Sequence, residues 1–362
     1  MLHSTANFPS FSDLKDSTVW KTVCCRYDRV LSYFHFICRR RSSGTASEGC
    51  GERMKENSDW MSKLPPNLHT VPLFNLAIPG SHDSMSFDLD VNSSIVEPDQ
   101  LRRFSRFCCV RKLVHRWGTT QEVNIKEQLD AGVRYFDLRI ARKPKDTDPN
   151  RLYFYHGLYT RTEVETVFRD INEWAEKHRK EVLILSLSHF KGFDKFAASL
   201  HNHLIHFIKT LFGAKLVPKT VTDKPTLKTC WDHGRNVIVS YDHPAYQQTA
   251  LWTKIKYYYA DSMDRAMVVS TLSHVLETGK PSNCFFVCGL NLTLPVDRRV
   301  LKYVLRICDN FPNVVRRGLP QLLLWVQQQS AKTPFNIVAS DVVTRSDFVS
   351  TIIQLNWKHQ KA

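Results

Sequence analysis

Residues 76–85 read LAIPGSHDSM. An apolar run from Leu73 to Ile78, with the character of a buried strand, stops at Pro79 and Gly80, and Ser81, His82, Asp83 and Ser84 follow in succession. Taken alone, the stretch is explained by a turn, since Pro-Gly punctuates strands and Asp and Ser cap helices. Whether the imidazole and the carboxylate do more depends on how the other strands end.

From residue 68 onward, short apolar runs recur: PLFNLAI (72–78), VRYFDLRIA (133–141), RLYFYHG (151–157), EVLILSLSH (181–189), NVIVSYDH (236–243), CFFVCGLNL (284–292) and NIVASDVV (336–343). Most are separated by segments of helical periodicity. QEVNIKEQLDAG closes at Gly132, and GFDKFAASLHNHLIHFIKTLFG closes at Gly213. TRTEVETVFRDINEWAEKHRK sets Val164, Val167, Phe168, Ile171 and Trp174 on one face. Strands alternating with helices predict an α/β fold whose parallel sheet is covered by helices. With an eighth strand near KIKYYYADSM (254–263), the count suits a closed (β/α) barrel, and a doubly wound open sheet is the competing architecture. The strand ends favour the barrel. They carry His82 and Asp83, Asp137 and Arg139, His156, Ser188 and His189, Tyr241 to His243, Asn291 and Asp341. A barrel gathers such residues on one rim, whereas packing needs alone would scatter polar residues over both ends.

Composition sets the outer bounds. Hydrophobic residues at 43% and charged residues at 23% are those of a globular chain. Lysine and arginine number 50 against 35 acids, a net charge of +15, which favours an anionic partner: a phospholipid surface, a nucleic acid or a phosphorylated substrate. The ten cysteines lack a disulfide framework's spacing and are expected to be reduced; Cys284 and Cys288 read as one face of a strand rather than a zinc pair. The N-terminus has no positive start leading into an apolar core, and no apolar run reaches the ~20 residues of a membrane span, so a cytoplasmic or nuclear location is expected. Residues 1–55 differ in composition from the rest and read as a poorly ordered extension, leaving 56–362 as the folded domain. Arg39 to Arg41 and Cys24, Cys25 and Cys38 suit a palmitate tether or a nuclear address; an incidental leader is the plainer reading.

His82 and His156 are the candidates for general base and general acid, because imidazole titrates near neutral pH. Asp137 and Arg139 alternate on one strand and share a face. On the inner face of a barrel an unpaired guanidinium is costly, so Arg139 needs either a neighbouring carboxylate or a bound anion such as phosphate. Two histidines, an arginine and carboxylates, without a lysine phosphate loop or an evident metal cluster, point to metal-free phosphodiester cleavage.

These motifs, NLAIPGSHDSM, GVRYFDLRIARKP, LYFYHGLY, NIVASD and FVSTIIQLN, resemble the phosphatidylinositol-specific phospholipase C X-domain-containing proteins over about residues 58–358. The resemblance implies a distorted TIM barrel, with residues 56–362 as its X-box domain. It implies cleavage of phosphatidylinositol to diacylglycerol and an inositol phosphate through a cyclic phosphate. By the same resemblance His82 is the base, His156 the acid, Asp83 a partner of the acid and Asp341 the carboxylate that steadies the base. Calcium-dependent relatives place Glu-Leu-Asp on the strand that here reads Asp137, Leu138, Arg139, so no cofactor and no calcium requirement are expected. Bacterial enzymes carry a lysine after the fourth strand, where this chain has Ser188, His189 and Phe190. Ser188, Tyr241 and Arg235, with His243, are the candidates for contact with the headgroup.

The substrate would lie in a membrane. LRRFSRFCCVRKLVHRWG offers Arg102, Arg103, Arg106, Arg111, Lys112 and Arg116 beside an apolar stripe of Phe107, Val110, Val114 and Trp117. It reads either as an interfacial helix or as a helix packed on the barrel with a solvated basic face. A monomer without nucleic-acid partners is expected, since nucleic-acid binding explains the charge and not the rim. The competing functions are a glycerophosphodiester phosphodiesterase and a catalytically weak lipid-binding or adaptor protein.

Overall fold

The structure is a computed structural model and describes residues 57–194, 197–219, 223–246, 250–295, 298–304 and 309–358. The expectations for residues 1–55 lie outside the described residues. Among the described residues nine strands form one sheet: β1 (Ile78–Ser81), β2 (Tyr135–Ala141), β3 (Tyr153–His156), β4 (Leu158–Glu163), β5 (Leu183–Lys191), β6 (Val237–Tyr241), β7 (Lys256–Tyr258), β8 (Phe286–Gly289) and β9 (Ile337–Ser340). Around it lie α1 (Cys108–Gly118), α2 (Ile125–Asp130), α3 (Val164–Lys177), α4 (Ala197–Phe212), α5 (Leu227–Asp232), α6 (Arg265–Thr278), α7 (Phe311–Gln329) and α8 (Phe348–Lys358), with shorter helical turns between them.

Seven strands run parallel in the order β6, β5, β2, β1, β9, β8, β7. On the β6 side of the seam with β7, Ser240 makes a parallel bridge to Trp252, which lies in the segment before β7. The result is a distorted TIM barrel: the alternation of elements predicted a barrel, and the resemblance implied its distorted form.

Two expected strands are corrected. The run Leu73–Ile78 holds a helical turn at Leu73–Asn75, and the strand begins only at Ile78, so Pro79 and Gly80 lie inside it. Gly80 is required there, because a Cβ would stand 2.9 Å from Tyr135 and 3.0 Å from Ile337 on the flanking strands. RLYFYHG is not a barrel strand. It forms β3, antiparallel to the end of β2 and hairpinned to β4. Its connector, residues 142–152, is shorter than the ~12 residues a parallel crossover needs, and Lys-Pro-Lys-Asp favours a turn instead.

The helical expectations hold at α2, α3 and α4. Asn124 and Glu127 make a capping box on α2, Gly132 follows at φ 107°, and all five apolar residues singled out on α3 are buried. The floor of the barrel is closed by a buried ion pair, Arg134 to Glu181 at 2.8 Å, whose carboxylate also accepts the Met61 and Ser62 N–H groups. That arrangement satisfies both charges, as burial of an ion pair demands.

Among the described residues the cysteine expectation fails at Cys109. Cys109 is disulfide-bonded, whereas Cys108, Cys230, Cys284 and Cys288 are free. Such a bond is set by proximity in the fold, which the spacing of cysteines in the chain does not reveal. Cys284 is exposed and precedes β8, so it does not share a strand face with buried Cys288.

Candidate active site

Parity along the strands places the site. β2 pairs with β5 so that Asp137 stands against Ser186 and Arg139 against Ser188, and all four side chains open into one cavity above the barrel. β1 delivers His82 and Asp83 immediately past its last paired residue, and β9 delivers Asp341 in the same way. The residue that follows a strand-end side chain here adopts left-handed backbone three times: Asp83 at φ 42°, His189 at φ 52° and Val342 at φ 51°. For a β-branched valine that conformation is costly, and it persists because Val342 N–H is held by the Thr120 carbonyl at 2.8 Å.

His82 is buried between two carboxylates. Its Nδ1 lies 2.8 Å from Asp341 Oδ1, which assigns the Nδ1 proton to that bond. Its Nε2 lies 3.2 Å from Asp83 Oδ2 and 3.2 Å from Arg139 Nη2. A neutral ring can therefore accept from Arg139, and a protonated ring can donate to Asp83. Burial works against the charged ring, but Asp83 and Asp341 outweigh it and raise His82 to about 9. Burial also pushes the Asp341 carboxyl up, with His82 pulling the other way.

Asp83 is the hub. Its Oδ1 is 2.7 Å from Arg139 Nε, and its Oδ2 is 3.1 Å from His156 Nε2 as well as 3.2 Å from His82 Nε2. Although burial opposes ionisation, Arg139 and the two histidines bring Asp83 down to about 2. These are charge contacts without hydrogen-bond alignment: both Asp83 oxygens and Arg139 Nε lack an aligned partner. Asp137 completes the cluster, accepting the Asp83 N–H at 3.2 Å and standing 3.7 Å from Arg139.

His156 reaches the rim from the β3–β4 hairpin, not from a barrel strand. Its Nδ1–H donates to the Gly118 carbonyl at the end of α1, 2.6 Å away, leaving Nε2 aimed at Asp83. The two imidazole centroids are 6.3 Å apart.

The remaining sequence candidates divide. Ser188 lines the cavity and bonds His189 Nδ1 at 2.8 Å. Tyr241 does not reach it: β6 matches Ser240 to inward Ser186, so Tyr241 points the other way, where its hydroxyl meets buried His201 at 2.7 Å. Arg235 precedes β6 and therefore lies at the opposite end of the strand. His243 stacks on His201 at 3.6 Å. The stretch 99–118 is also not one helix. A turn at Asp99–Arg102 precedes α1, and Val110, Val114 and Trp117 are buried inward. The packing explanation is thus the right one for the stripe. Arg111 serves the fold, donating to the carbonyls of Val91 and Ser105, while Arg102, Arg103, Arg106 and Lys112 are exposed.

Three participants escaped the sequence reading. Tyr257 on β7 packs 5.8 Å from the His82 ring and donates its hydroxyl to Asn291 Oδ1 at 2.9 Å. Gly289 makes that contact possible, since a Cβ would come within 2.4 Å of the Tyr257 ring. Gln121 is buried, and its Nε2 donates to the carbonyls of His82 at 2.9 Å and Ser340 at 3.0 Å, so one amide fixes the spacing of both strand ends.

His82, Asp83 and Asp137 each present a ligand atom to a common point. A cation there would compete with Arg139, whose Nε already occupies ion-pair distance from Asp83 and faces Asp137. The set is a poor fit for calcium, which prefers six to eight oxygen ligands.

The family signature described as "Phosphatidylinositol-specific phospholipase C, X domain" matches residues 111–242. The chain is 39% identical over 309 residues to "PI-PLC X domain-containing protein 1" of Danio rerio, covering 82% of this chain and 96% of that one. It is 38% identical over 329 residues to "PI-PLC X domain-containing protein 2" of Mus musculus, covering 88% and 92%. Among solved structures, a phosphatidylinositol-specific phospholipase C from Staphylococcus aureus superposes with a TM-score of 0.61 at 17% identity, covering 84% of this chain and 99% of that one. The Listeria monocytogenes enzyme gives 0.56 at 20% identity, covering 83% and 98%. The barrel is shared with these bacterial structures and the sequence with the animal proteins across most of both chains: the chain belongs to the PI-PLC X domain-containing protein family.

Proposed function

We propose that this protein is a metal-independent phosphodiesterase that cleaves phosphatidylinositol to diacylglycerol and a cyclic inositol phosphate. One observation carries the reading: two imidazoles and a guanidinium converge on the single carboxylate of Asp83, at 3.2, 3.1 and 2.7 Å. That is the equipment for moving one proton off a nucleophile and another onto a leaving group around a charged phosphorus.

In this reading the neutral form of His82, oriented through Nδ1–H to Asp341, takes the proton of the inositol hydroxyl next to the phosphate through Nε2. The hydroxyl oxygen bonds to phosphorus, and the bond to the glycerol oxygen breaks. His156 Nε2–H supplies the proton that the leaving oxygen needs, with Asp83 stabilising its cationic form. Arg139 offsets the charge that gathers on the nonbridging oxygens. Arg139 stands where a metal would otherwise act, so calcium is not required. Arg102, Arg103, Arg106 and Lys112 form the surface that meets anionic lipid.

A second reading has one observation in its favour. His82 raised to about 9 is largely cationic at neutral pH, which suits anion binding without turnover. Incubation with phosphatidylinositol vesicles in excess chelator separates the two. Cyclic inositol phosphate that disappears in both His82→Ala and His156→Ala supports the enzyme. Vesicle binding without product supports the binding protein, and activity lost to chelator but restored by calcium overturns the metal-free mechanism.

A further inference from the structure

The cavity above the barrel is far larger than its polar chemistry requires. It measures about 930 Å³, at the upper end of the ~300–1,000 Å³ typical of small-molecule sites. The charged cluster and Tyr257 line it. So do two apolar stretches of wall, Leu101, Phe104 and Trp117 in one, and Leu292, Leu294 and Phe311 in the other. The first wall comes from the segment before β2 and the second from the segment after β8, so residues distant in the chain line one apolar slot directly continuous with the site of phosphodiester chemistry.

Among the described residues the convex surface offers few large apolar side chains to match it. Among the described residues the exposed large apolar side chains are Tyr259, Met267, Leu324 and Trp357, and of these Tyr259 alone borders the cavity. Met267, Leu324 and Trp357 are on α6, α7 and α8. A protein that met its lipid by inserting into the bilayer would carry that apolar area on a protruding rim. Here it is concave, and the exposed side chains that line it are mostly polar or charged, Asp99, Gln100, Arg103 and Lys254 among them.

We infer that the slot takes up the acyl chains of the lipid substrate: the site draws the inner part of the chains out of the bilayer and between the two walls, so that chain length as well as headgroup sets affinity. This rests on the phosphatidylinositol reading above and adds a specificity determinant to it. The occupant is an acyl chain because the slot is apolar and shares one cavity with the phosphate-handling cluster, His156 included.

The test uses soluble inositol phospholipids with two chains of four to eight carbons, kept below aggregation and methylated at the attacking hydroxyl so that binding is read without cleavage. With the wild-type protein, Kd is expected to fall about fourfold for each methylene that enters the slot, and by at least about tenfold from four to eight carbons. Leu294→Arg, checked for a native thermal transition, is expected to flatten that dependence. A Kd that is independent of chain length, or binding that is absent throughout, overturns the inference. Cleavage of the unmethylated series is scored separately. Chain-dependent binding without cleavage sustains the slot and counts against the enzyme, whereas cleavage with chain-independent binding does the reverse.

Discussion

Replacing Asp341 with Asn removes one charge from a point 2.8 Å from His82 Nδ1 while leaving an oxygen able to accept the same N–H. In the unmodified protein two carboxylates hold His82 at about 9 in spite of burial. At pH 7 about one ring in a hundred is then neutral and able to act as a base. The phosphodiesterase mechanism accordingly predicts kcat/KM rising about tenfold per pH unit from 7 toward 9. An opposite charge at close range is worth ~1–3 pKa units, so Asp341→Asn brings His82 into a range of about 6–8. The acid limb of the pH profile moves down by the same amount. The limiting rate at high pH falls by about 100-fold or more, because the imidazolium formed in the reaction loses its partner. Initial rates between pH 6 and 10, with a parallel NMR titration of the His82 ring, measure both effects. A limb that stays near 9 in the variant would refute the assignment of Asp341. Linkage gives an independent check. The folded pKa of His82 exceeds the unfolded value of 6.5, so the protonated ring stabilises the fold by up to about 3 kcal/mol. That contribution is complete below pH 6.5 and is lost as pH rises through about 9; thermal melts of Asp341→Asn should lose about 1–3 kcal/mol of this dependence, in step with the fall in the pKa of His82.

Arg139→Ala should lower turnover about 100- to 1,000-fold without rescue by calcium, and guanidine in the assay should restore part of it; rescue by calcium would show that the position can work with a metal. Gln121→Leu leaves the carbonyls of His82 and Ser340 without their shared donor, so kcat should fall with KM little changed, together with about 1–3 kcal/mol of stability in denaturant titrations. Gly289→Ala forces a Cβ into Tyr257 and should cost about 1–3 kcal/mol, while Gly279→Ala, whose Cβ meets nothing closer than 3.7 Å, should stay within about 0.5 kcal/mol of the unmodified protein. Arg102, Arg103 and Arg106 changed together to Glu should weaken binding to anionic vesicles by at least about 1 kcal/mol per residue while leaving the melting transition in place; unchanged sedimentation with vesicles would remove this surface from the lipid contact.

Much of the barrel was legible because its strands are apolar, short and bounded by turn residues, and because their polar ends converge only in a closed sheet. His82, Asp83, Asp137, Arg139 and Asp341 follow from that logic and from the resemblance of their motifs. His156 was picked out as the end of a barrel strand, whereas the structure seats it on a hairpin. A four-residue strand in an antiparallel hairpin has the same composition as one in a parallel ladder, and only the short 142–152 connector distinguishes them. Tyr241 was misjudged by one residue of parity, since a strand buried on both faces gives no alternation from which to read which side is inward. Tyr257 and Gln121 carried no local signal at all. Their importance comes from contacts 175 and 39 positions along the chain from His82, which exist only once the barrel closes.

In the proposed mechanism the mounting of His156 would tie events at the surface to events at the phosphorus. Its Nδ1 is anchored to the last residue of α1, and α1 also packs against the turn of its hairpin, where a Cβ on Gly157 would strike Val114. The same short helix presents Lys112 outward and, with the loop before it, walls the slot. Under the proposed mechanism a displacement of α1 by lipid headgroups would shift His156 while the barrel strand that carries His82 stood still. Docking and protonation would then hang on one lever.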